Sequence, residues 1–275
     1  MIMKYGIALP YTTPRSVAKL SQLAEESSWD GVFLGDAIWC EDPMIGLAAA
    51  AMVTKRVRLG TMITPVPLRI PWKLASESLA LDHLSNGRLV LGLGAGAVWM
   101  GWQAFPDEVT DAKSRAEMLD ETIDILTLLY RREQFDFDGR HYHLKLTQMD
   151  LMHYPPKPVQ QPRVPLWCVG LVGHPRSLQR TLKCDGMIVE KRGTEVIPVE
   201  EIREIKAYAV ANRSEASPFE IVLNGKVADL NRSQLQDRLL PLIDAGVTWW
   251  IEGLFDATEA AAVERIRRGP PSAEL

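Results

Sequence analysis

The chain has 275 residues, of which 47% are hydrophobic and 24% are charged, and its formal net charge is −4 at pH 7. These values are ordinary for a soluble globular protein with a large core. The acidic balance and the lack of a dense lysine and arginine run argue against nucleic acid or an anionic membrane as a partner.

Short apolar runs alternate with amphipathic segments along the chain. Helices are expected between most of the runs, because a proline stands where a first helical turn would begin, for example at Pro14, Pro43 and Pro71. Eight serial strand–helix units predict parallel strands, and so a single-domain (β/α)8 barrel over residues 1–275, with an open doubly wound sheet as the alternative. The predicted strands are Tyr5–Leu9, Gly31–Leu34, Val57–Ile63, Leu89–Leu93, Leu166–Val169, Gly186–Val189, Phe219–Leu223 and Val247–Ile251.

The segment 132–165 interrupts this alternation. Phe135 to Leu144 is predicted to form a β-hairpin with Asp138-Gly139 at its turn, and a proline-rich passage follows from Pro155 to Pro165. Long irregular connections inside a compact domain are usually functional. We therefore predict an insertion between the fourth and fifth barrel units.

The cysteines and the apolar runs indicate the compartment. Cys40, Cys168 and Cys184 form no C-x-x-C pair, which predicts reduced thiols. Residues 1–5 lack the basic start of a secretory signal, and the longest uncharged apolar run, Leu89 to Trp102, is shorter than the about 20 residues that cross a bilayer. We expect a cytoplasmic protein.

In a (β/α)8 barrel the loops after the carboxyl ends of the strands build the active site. Alternation in the fourth strand turns its leucines toward the helices and turns Val90, Gly92 and Gly94 inward. Small inward residues predict room at the mouth for a flat ring or a phosphate, with tight core packing as the alternative. The glycines recur at every second residue, which is not the spacing of the dinucleotide-binding fingerprint.

Polar residues near the ends of three strands are the candidate catalytic groups. In the eighth strand Thr248, Trp250 and Glu252 share the face opposite a wholly apolar one. We expect this mixed face to point inward and to place Glu252 at the mouth, with an ion pair to a neighbouring arginine as the alternative. Asn224 is expected inward in the seventh strand. Asp36, just after the second strand, is the third candidate, with a loop cap as its alternative.

Large side chains in the loops after the second, third and fourth strands predict an apolar substrate pocket, with core packing as the alternative. They are Trp39, Arg69, Trp72, Trp99 and Trp102. Backbone ahead of a helix predicts an anion site at Gly170, Leu171, Val172, Gly173 and His174, with a plain turn as the alternative. His141 and His143 have no third partner at a metal-ligand spacing, so no metal site is predicted.

Several stretches resemble the luciferase-like flavin-dependent oxidoreductases, in order and over nearly the whole chain. They include Ser28–Asp36, Arg58–Pro65, Leu81–Arg88 and Thr248–Glu252. The resemblance implies a barrel with an insertion, usually dimeric, that binds FMN or the deazaflavin coenzyme F-420 and acts on a small organic substrate. We predict an FMN-dependent monooxygenase using molecular oxygen. The alternatives are a coenzyme F-420-dependent hydride-transfer enzyme and, from another class, a non-catalytic flavin-binding barrel.

The resemblance also assigns cofactor contacts. It implies a non-proline cis peptide bond that supports the ring within Thr61, Met62, Ile63 and Thr64, and a phosphate on the loop from Gly170 to His174. Together with the inward Gly92, Gly94 and Trp250, these residues form the predicted cofactor site. The family often has histidine directly after the aspartate that closes the second strand, whereas this chain has Ala37. Any role of that histidine must be filled by another group or be absent.

Overall fold

A computed structural model describes residues 3–105, 108–193, 196–213 and 218–271, so that Met1 and Ile2 of the N-terminal stretch lie outside the described residues. The strands are β1 (Lys4–Ala8), β2 (Gly31–Leu34), β3 (Arg58–Thr61), β4 (Thr64–Pro65), β5 (Leu89–Gly94), β6 (Asp136–Asp138), β7 (His143–Lys145), β8 (Leu166–Leu171), β9 (Gly186–Glu190), β10 (Glu220–Gly225) and β11 (Trp249–Gly253). The main sheet runs in the order β3-β2-β1-β11-β10-β9-β8-β5-β4, and β3 also pairs with β5 in parallel. This last pairing closes the sheet, which confirms the (β/α)8 barrel and rules out the open sheet.

The helices begin largely where the prolines predict. Thr13 caps the first helix by accepting from the Ser16 N–H, and Asp42 caps the second by accepting from two N–H groups of its first turn. Such caps satisfy donors that the first turn leaves without a partner. The helices are α1 (Pro14–Glu26), α2 (Pro43–Val53), α3 (Pro71–Leu84), α4 (Ala112–Tyr130), α5 (Pro175–Thr181), α6 (Val199–Asn212), α7 (Arg232–Ala245) and α8 (Glu259–Arg267). Within the described residues, none of them combines the length and the apolar character needed to cross a membrane.

The barrel interior is filled by three aromatic rings. Phe33 lies 5.6 Å from Trp167 and 5.8 Å from Trp249 between ring centroids, and the two tryptophans are 5.4 Å apart. Glycines on the neighbouring strands make room for them, since a Cβ on Gly6 or Gly60 would lie within 3.0 Å of the Phe33 ring. The interior is therefore packed below the mouth, and the carboxyl ends of the strands are left to form a site.

The inward face predicted for the eighth strand is wrong. Trp249 and Ile251 belong to the interior cluster, whereas Trp250 packs in the cluster between barrel and helices. The fully buried Glu252 also points outward, where it accepts from the backbone N–H groups of Val227 and Ala228 at 3.1–3.2 Å. Polar side chains lie on the outward face because backbone and helix donors satisfy them there.

The fully buried Glu252 carboxylate is paired with a helix. Arg265 of α8 donates from Nε at 3.3 Å, and its guanidinium lies 4.9 Å from the Trp29 ring centroid. The ion pair given above as the alternative for Glu252 is thus the observed arrangement, with the arginine on a helix rather than in a loop. Neither Glu252 nor Trp250 faces the barrel mouth.

The insertion contains an antiparallel pair of short strands, β6 and β7, in the register Asp138 to His143. The connecting turn covers residues 139–142 rather than Asp138-Gly139 alone, because the Gly139 N–H donates to the carbonyl of Tyr142. Glu121 of α4 holds this turn by accepting from the N–H groups of Arg140, His141 and Tyr142. The hairpin is therefore fixed to α4.

Candidate active site

The bulge after β3 forms one wall of the barrel mouth. The peptide bond between Met62 and Ile63 is cis, within the range that the family resemblance implied. Met62 lies in the interior cluster and Ile63 packs against it. Thr61 fastens the bulge to β5, since its hydroxyl donates to the Gly92 carbonyl at 3.0 Å and accepts from the Gly92 N–H at 3.1 Å. Of the four predicted residues, Thr61 and Thr64 are fully buried and only Met62 and Ile63 retain exposed surface.

The inward direction of Gly92 and Gly94 is as predicted, but the space beside them is already filled. A Cβ on Gly92 would lie 2.2 Å from the Thr61 carbonyl oxygen, and one on Gly94 would lie 2.4 Å from Cδ1 of Ile63. Both distances are far below a van der Waals contact. The two glycines therefore accommodate the bulge of the third strand, and the prediction that they leave room for a ring is wrong.

A carboxyl and an amide face the mouth from adjacent strands. Val222 and Ile188 are in register on β10 and β9 and both belong to the interior cluster, so Asn224 and Glu190, two residues further on, lie on the same face. Burial raises the pKa of the Glu190 carboxyl, and a hydrogen bond from the Asn224 side chain opposes that rise. Asn224 is thus inward as expected. Glu190 was missed because the sixth strand was predicted to end at Val189.

Asp36 lies at the end of β2 beneath an arginine. Its buried carboxylate is 3.0 Å from Arg69, which also lies 3.0 Å from Asp42 and 3.7 Å from Glu77. Burial raises the pKa of Asp36 to about 6, against the opposing effect of Arg69. The structure therefore brings two predicted residues, Asp36 and Arg69, together in one ionic cluster.

The four predicted tryptophans of the substrate pocket lie in different environments. Trp39 and Trp99 are 86% and 82% exposed, whereas Trp102 is 1% exposed and packs under Gly96 and Arg115. Trp72 contacts the insertion, with its ring edge-to-face against Tyr142 at 6.4 Å between centroids. These tryptophans do not form one common pocket in this structure.

The loop from Gly170 to His174 ends β8 and begins α5. Gly170 packs against Met187, since a Cβ at this position would lie within 2.7 Å of three atoms of that side chain. Gly173 has a φ of +79° and open space around it. The N–H groups of Leu171 and Val172 are already engaged, with the Ser177 hydroxyl and the Glu190 carbonyl. The His174 N–H donates to the Leu171 carbonyl at 3.1 Å, so among the described residues of this loop the backbone open to a ligand lies at Gly173.

The position of the family histidine is occupied by a small cluster. The Ala37 N–H donates to the sulfur of Cys40 at 3.3 Å, and burial raises the pKa of the Cys40 thiol. The Tyr11 hydroxyl lies against Gly35, and burial also raises its pKa. Both groups are therefore protonated near neutral pH, and neither is an activated nucleophile.

Comparison with known proteins decides the family. The family described as luciferase-like monooxygenase matches residues 3–271. The chain belongs to the luciferase-like monooxygenase family. Relatives of this family are named as oxidoreductases and monooxygenases. The predictions of the family, the barrel and an enzymatic activity are confirmed.

Relatives of this luciferase-like protein use two kinds of cofactor. A Mycobacterium tuberculosis protein, provisionally named as a coenzyme F-420-dependent oxidoreductase, is 39% identical over 153 residues, which are 53% of this chain and 42% of the relative. The oxygenase component of a flavin-dependent trigonelline monooxygenase from Acinetobacter baylyi is 29% identical over 154 residues, 54% of this chain and 41% of the relative. The chain thus spans less than half the length of both.

The fold is shared with a solved structure over its full length. The coenzyme F-420-dependent tetrahydromethanopterin reductase from Methanopyrus kandleri superposes with a TM-score of 0.75 at 16% identity, and the match covers 100% of both chains. At this identity the likeness concerns the fold alone.

Proposed function

We propose that this luciferase-like protein binds FMN at the barrel mouth and oxygenates a small organic substrate with molecular oxygen. The observation that carries the proposal is the mouth itself. Met62, Ile63 and Val169 form an apolar wall of the mouth. The polar pair Glu190 and Asn224 lies at the same end of the barrel, above the packed interior. An apolar surface with a few converging polar groups is the usual form of a ring-binding site.

The residues present suit a flat cofactor with an anionic tail. Met62, Ile63 and Val169 offer apolar surface to a ring, and Gly173, with open space around it, offers backbone to a phosphate. Bound FMN would supply the redox chemistry, because a reduced flavin passes two electrons to oxygen. Asn224 would orient a polar edge of the ring, and the Glu190 carboxyl, whose pKa burial raises, lies beside Asn224 on the same face of the mouth.

Hydride transfer with coenzyme F-420 is the second candidate function. It is favoured by the M. tuberculosis relative, whose identity of 39% exceeds the 29% of the flavin-dependent relative. The same wall and polar pair would serve a deazaflavin ring, and oxygen would then take no part. The cofactor therefore decides between the two functions.

Calorimetric titration of the purified protein with FMN and with coenzyme F-420 is expected to give a dissociation constant below about 1 mM for one of them, a binding free energy of more than about 4 kcal/mol. Riboflavin, which lacks the phosphate, is the matched control and should bind more weakly than FMN if the loop holds the phosphate. Dissociation constants above 1 mM for both cofactors would refute the proposal. Oxygen consumption with the bound, reduced cofactor then tests the oxygenase activity.

We also propose that the chain forms a homodimer through α2. This helix has no polar side chain in its eleven residues, and Ile45, Met52 and Val53 are nevertheless exposed. A helix that is apolar on all sides is normally buried. A second copy of the same helix would cover the exposed face and match its apolar character, as in a two-fold symmetric contact.

Sedimentation of the wild-type protein is expected to give about twice the chain mass of 30.8 kDa, and Met52→Glu should give the monomer mass. Val210→Glu is the matched control. Val210 is 78% exposed, close to the 70% of Met52, but it lies on α6, outside the proposed interface. A monomeric wild type, or a dimer unaffected by Met52→Glu, would contradict this interface.

A further inference from the structure

One half of the barrel mouth carries a carboxylate, an amide and two aromatic rings. Four consecutive strands of the sheet, β9, β10, β11 and β1, form it. Glu190 ends β9 and Asn224 lies near the end of β10, on the interior face of each strand. Phe255 follows β11 and packs on the interior cluster, and Tyr11 follows β1 with its ring centroid 6.4 Å from that of Phe255.

The charge in this half of the mouth is not balanced within the described residues. Lys191, next to Glu190 in sequence, is paired with Glu201 at 2.5 Å, and Lys226 near the end of β10 is paired with Asp256 at 2.9 Å. In the part of the chain that the structure describes, no lysine, arginine or histidine pairs with the Glu190 carboxylate. Its partner there is the neutral amide of Asn224.

The neighbouring cluster adds negative charge. Arg69 faces three carboxylates, Asp36, Asp42 and Glu77, so that this group carries a surplus of acid when all are ionised. A cleft lined by charge of one sign attracts ligands of the opposite sign. A carboxylate next to aromatic ring faces is also the combination by which proteins bind organic cations, through an ionic hydrogen bond and a cation–π contact.

We infer that this half of the mouth holds a subsite for a protonated nitrogen, and that Glu190 selects substrates that carry an amine or another cationic nitrogen on an apolar body. This inference rests on the proposed function, because it assigns a substrate class to the same mouth. Glu190 binds the cationic group, Asn224 holds the carboxylate in place, and Phe255 and Tyr11 contact the apolar part. Neutral and anionic analogues of the same shape bind more weakly, since they leave the carboxylate unpaired or repel it.

Three probes of similar size test the charge preference. Benzylammonium, benzyl alcohol and benzoate are titrated into the flavin-free full-length protein by calorimetry at constant ionic strength. Benzylammonium is expected to bind at least about fivefold more tightly than benzyl alcohol, the size of one typical net hydrogen bond, and benzoate should bind most weakly. Glu190→Gln should remove this preference, lowering benzylammonium affinity at least about fivefold and changing benzyl alcohol affinity less than about twofold.

Glu204→Gln is the matched control, because it removes the same charge from the exposed face of α6. It should behave as the wild type with all three probes. Equal losses in the two variants, no preference for benzylammonium in the wild type, or no benzylammonium binding overturns the inference. If the protein binds FMN or coenzyme F-420 but does not prefer benzylammonium, the proposed function stands and this inference fails. If it prefers benzylammonium but binds neither cofactor, the proposed function fails and the charge selectivity stands.

Discussion

Replacing Glu252 with glutamine is expected to lower the free energy of unfolding by about 3 kcal/mol and to leave turnover per folded molecule unchanged. The carboxylate is fully buried and accepts from Arg265 and from two backbone N–H groups. Glutamine keeps the shape but removes the charge, so that Arg265 is left buried without its counter-ion. An uncompensated buried charge is among the largest single costs to stability.

Glu264→Gln is the matched control for this change. Glu264 lies on the same helix, α8, and pairs with Arg268, the residue that follows the helix, but both side chains are more than half exposed. Loss of an exposed pair four residues apart should cost no more than about 0.5 kcal/mol. Chemical denaturation of both variants measures the difference. A tenfold loss of turnover in Glu252→Gln with unchanged stability would restore a catalytic role for this residue.

Replacing Arg69 with methionine is expected to destabilise the protein by about 3 kcal/mol at pH 8 and by clearly less at pH 5. Arg69 is the shared cation of Asp36, Asp42 and Glu77. Without it, the buried Asp36 carboxylate faces two others. Since Asp42 and Glu77 are partly exposed, most of the cost arises at Asp36.

The sign of the pH dependence follows from the pKa of Asp36, which burial raises from 3.8 to about 6. The folded protein holds this proton more tightly than the unfolded chain, so that wild-type stability falls as the pH rises from about 4 to about 6. Arg69 opposes the rise in the Asp36 pKa. Its removal raises that pKa further and extends the loss of stability to higher pH. The loss of stability of Arg69→Met relative to the wild type therefore grows above pH 6.

Arg69→Lys is the conservative control, because it retains the charge and loses only the planar fork. It should lie between the wild type and Arg69→Met at pH 8. Urea denaturation of the three proteins at pH 5 and pH 8 measures the effect. An equal loss at both pH values would mean that Arg69 stabilises the loop by packing and not by its charge.

Which alternate residues of a barrel strand face the interior could be predicted only where the two faces of the strand differ clearly in residue type. In the fourth strand the leucines alternate with valine and glycine, and the leucines do face the helices. In the eighth strand both faces are buried, so alternation alone could not tell the inside from the outside. The polar face was taken as the site, but Thr248 bonds the backbone of Ile221 and Glu252 bonds Arg265.

Glu190 could have been found by extending the alternation of Gly186 and Ile188 by one residue. It was missed because the sixth strand was predicted to end at Val189, one residue earlier. The tryptophans were predicted to line one pocket because they follow neighbouring strand ends. Trp99 and Trp102 are close in sequence, yet their side chains are 82% and 1% exposed. Exposure depends on what other segments lie against a side chain, which local sequence does not specify.

The sequence by itself determined the barrel, the starts of its helices and the family, because these depend on periodicity, capping residues and motifs that act over a few positions. The tertiary structure alone decided which buried polar groups face the mouth. Glu252 lies far from Val227 in sequence and Asp36 far from Arg69, and their pairing requires the barrel to be closed. A carboxylate with such partners is structural, whereas Glu190, which finds only the neutral Asn224 among the described residues, is available to a substrate.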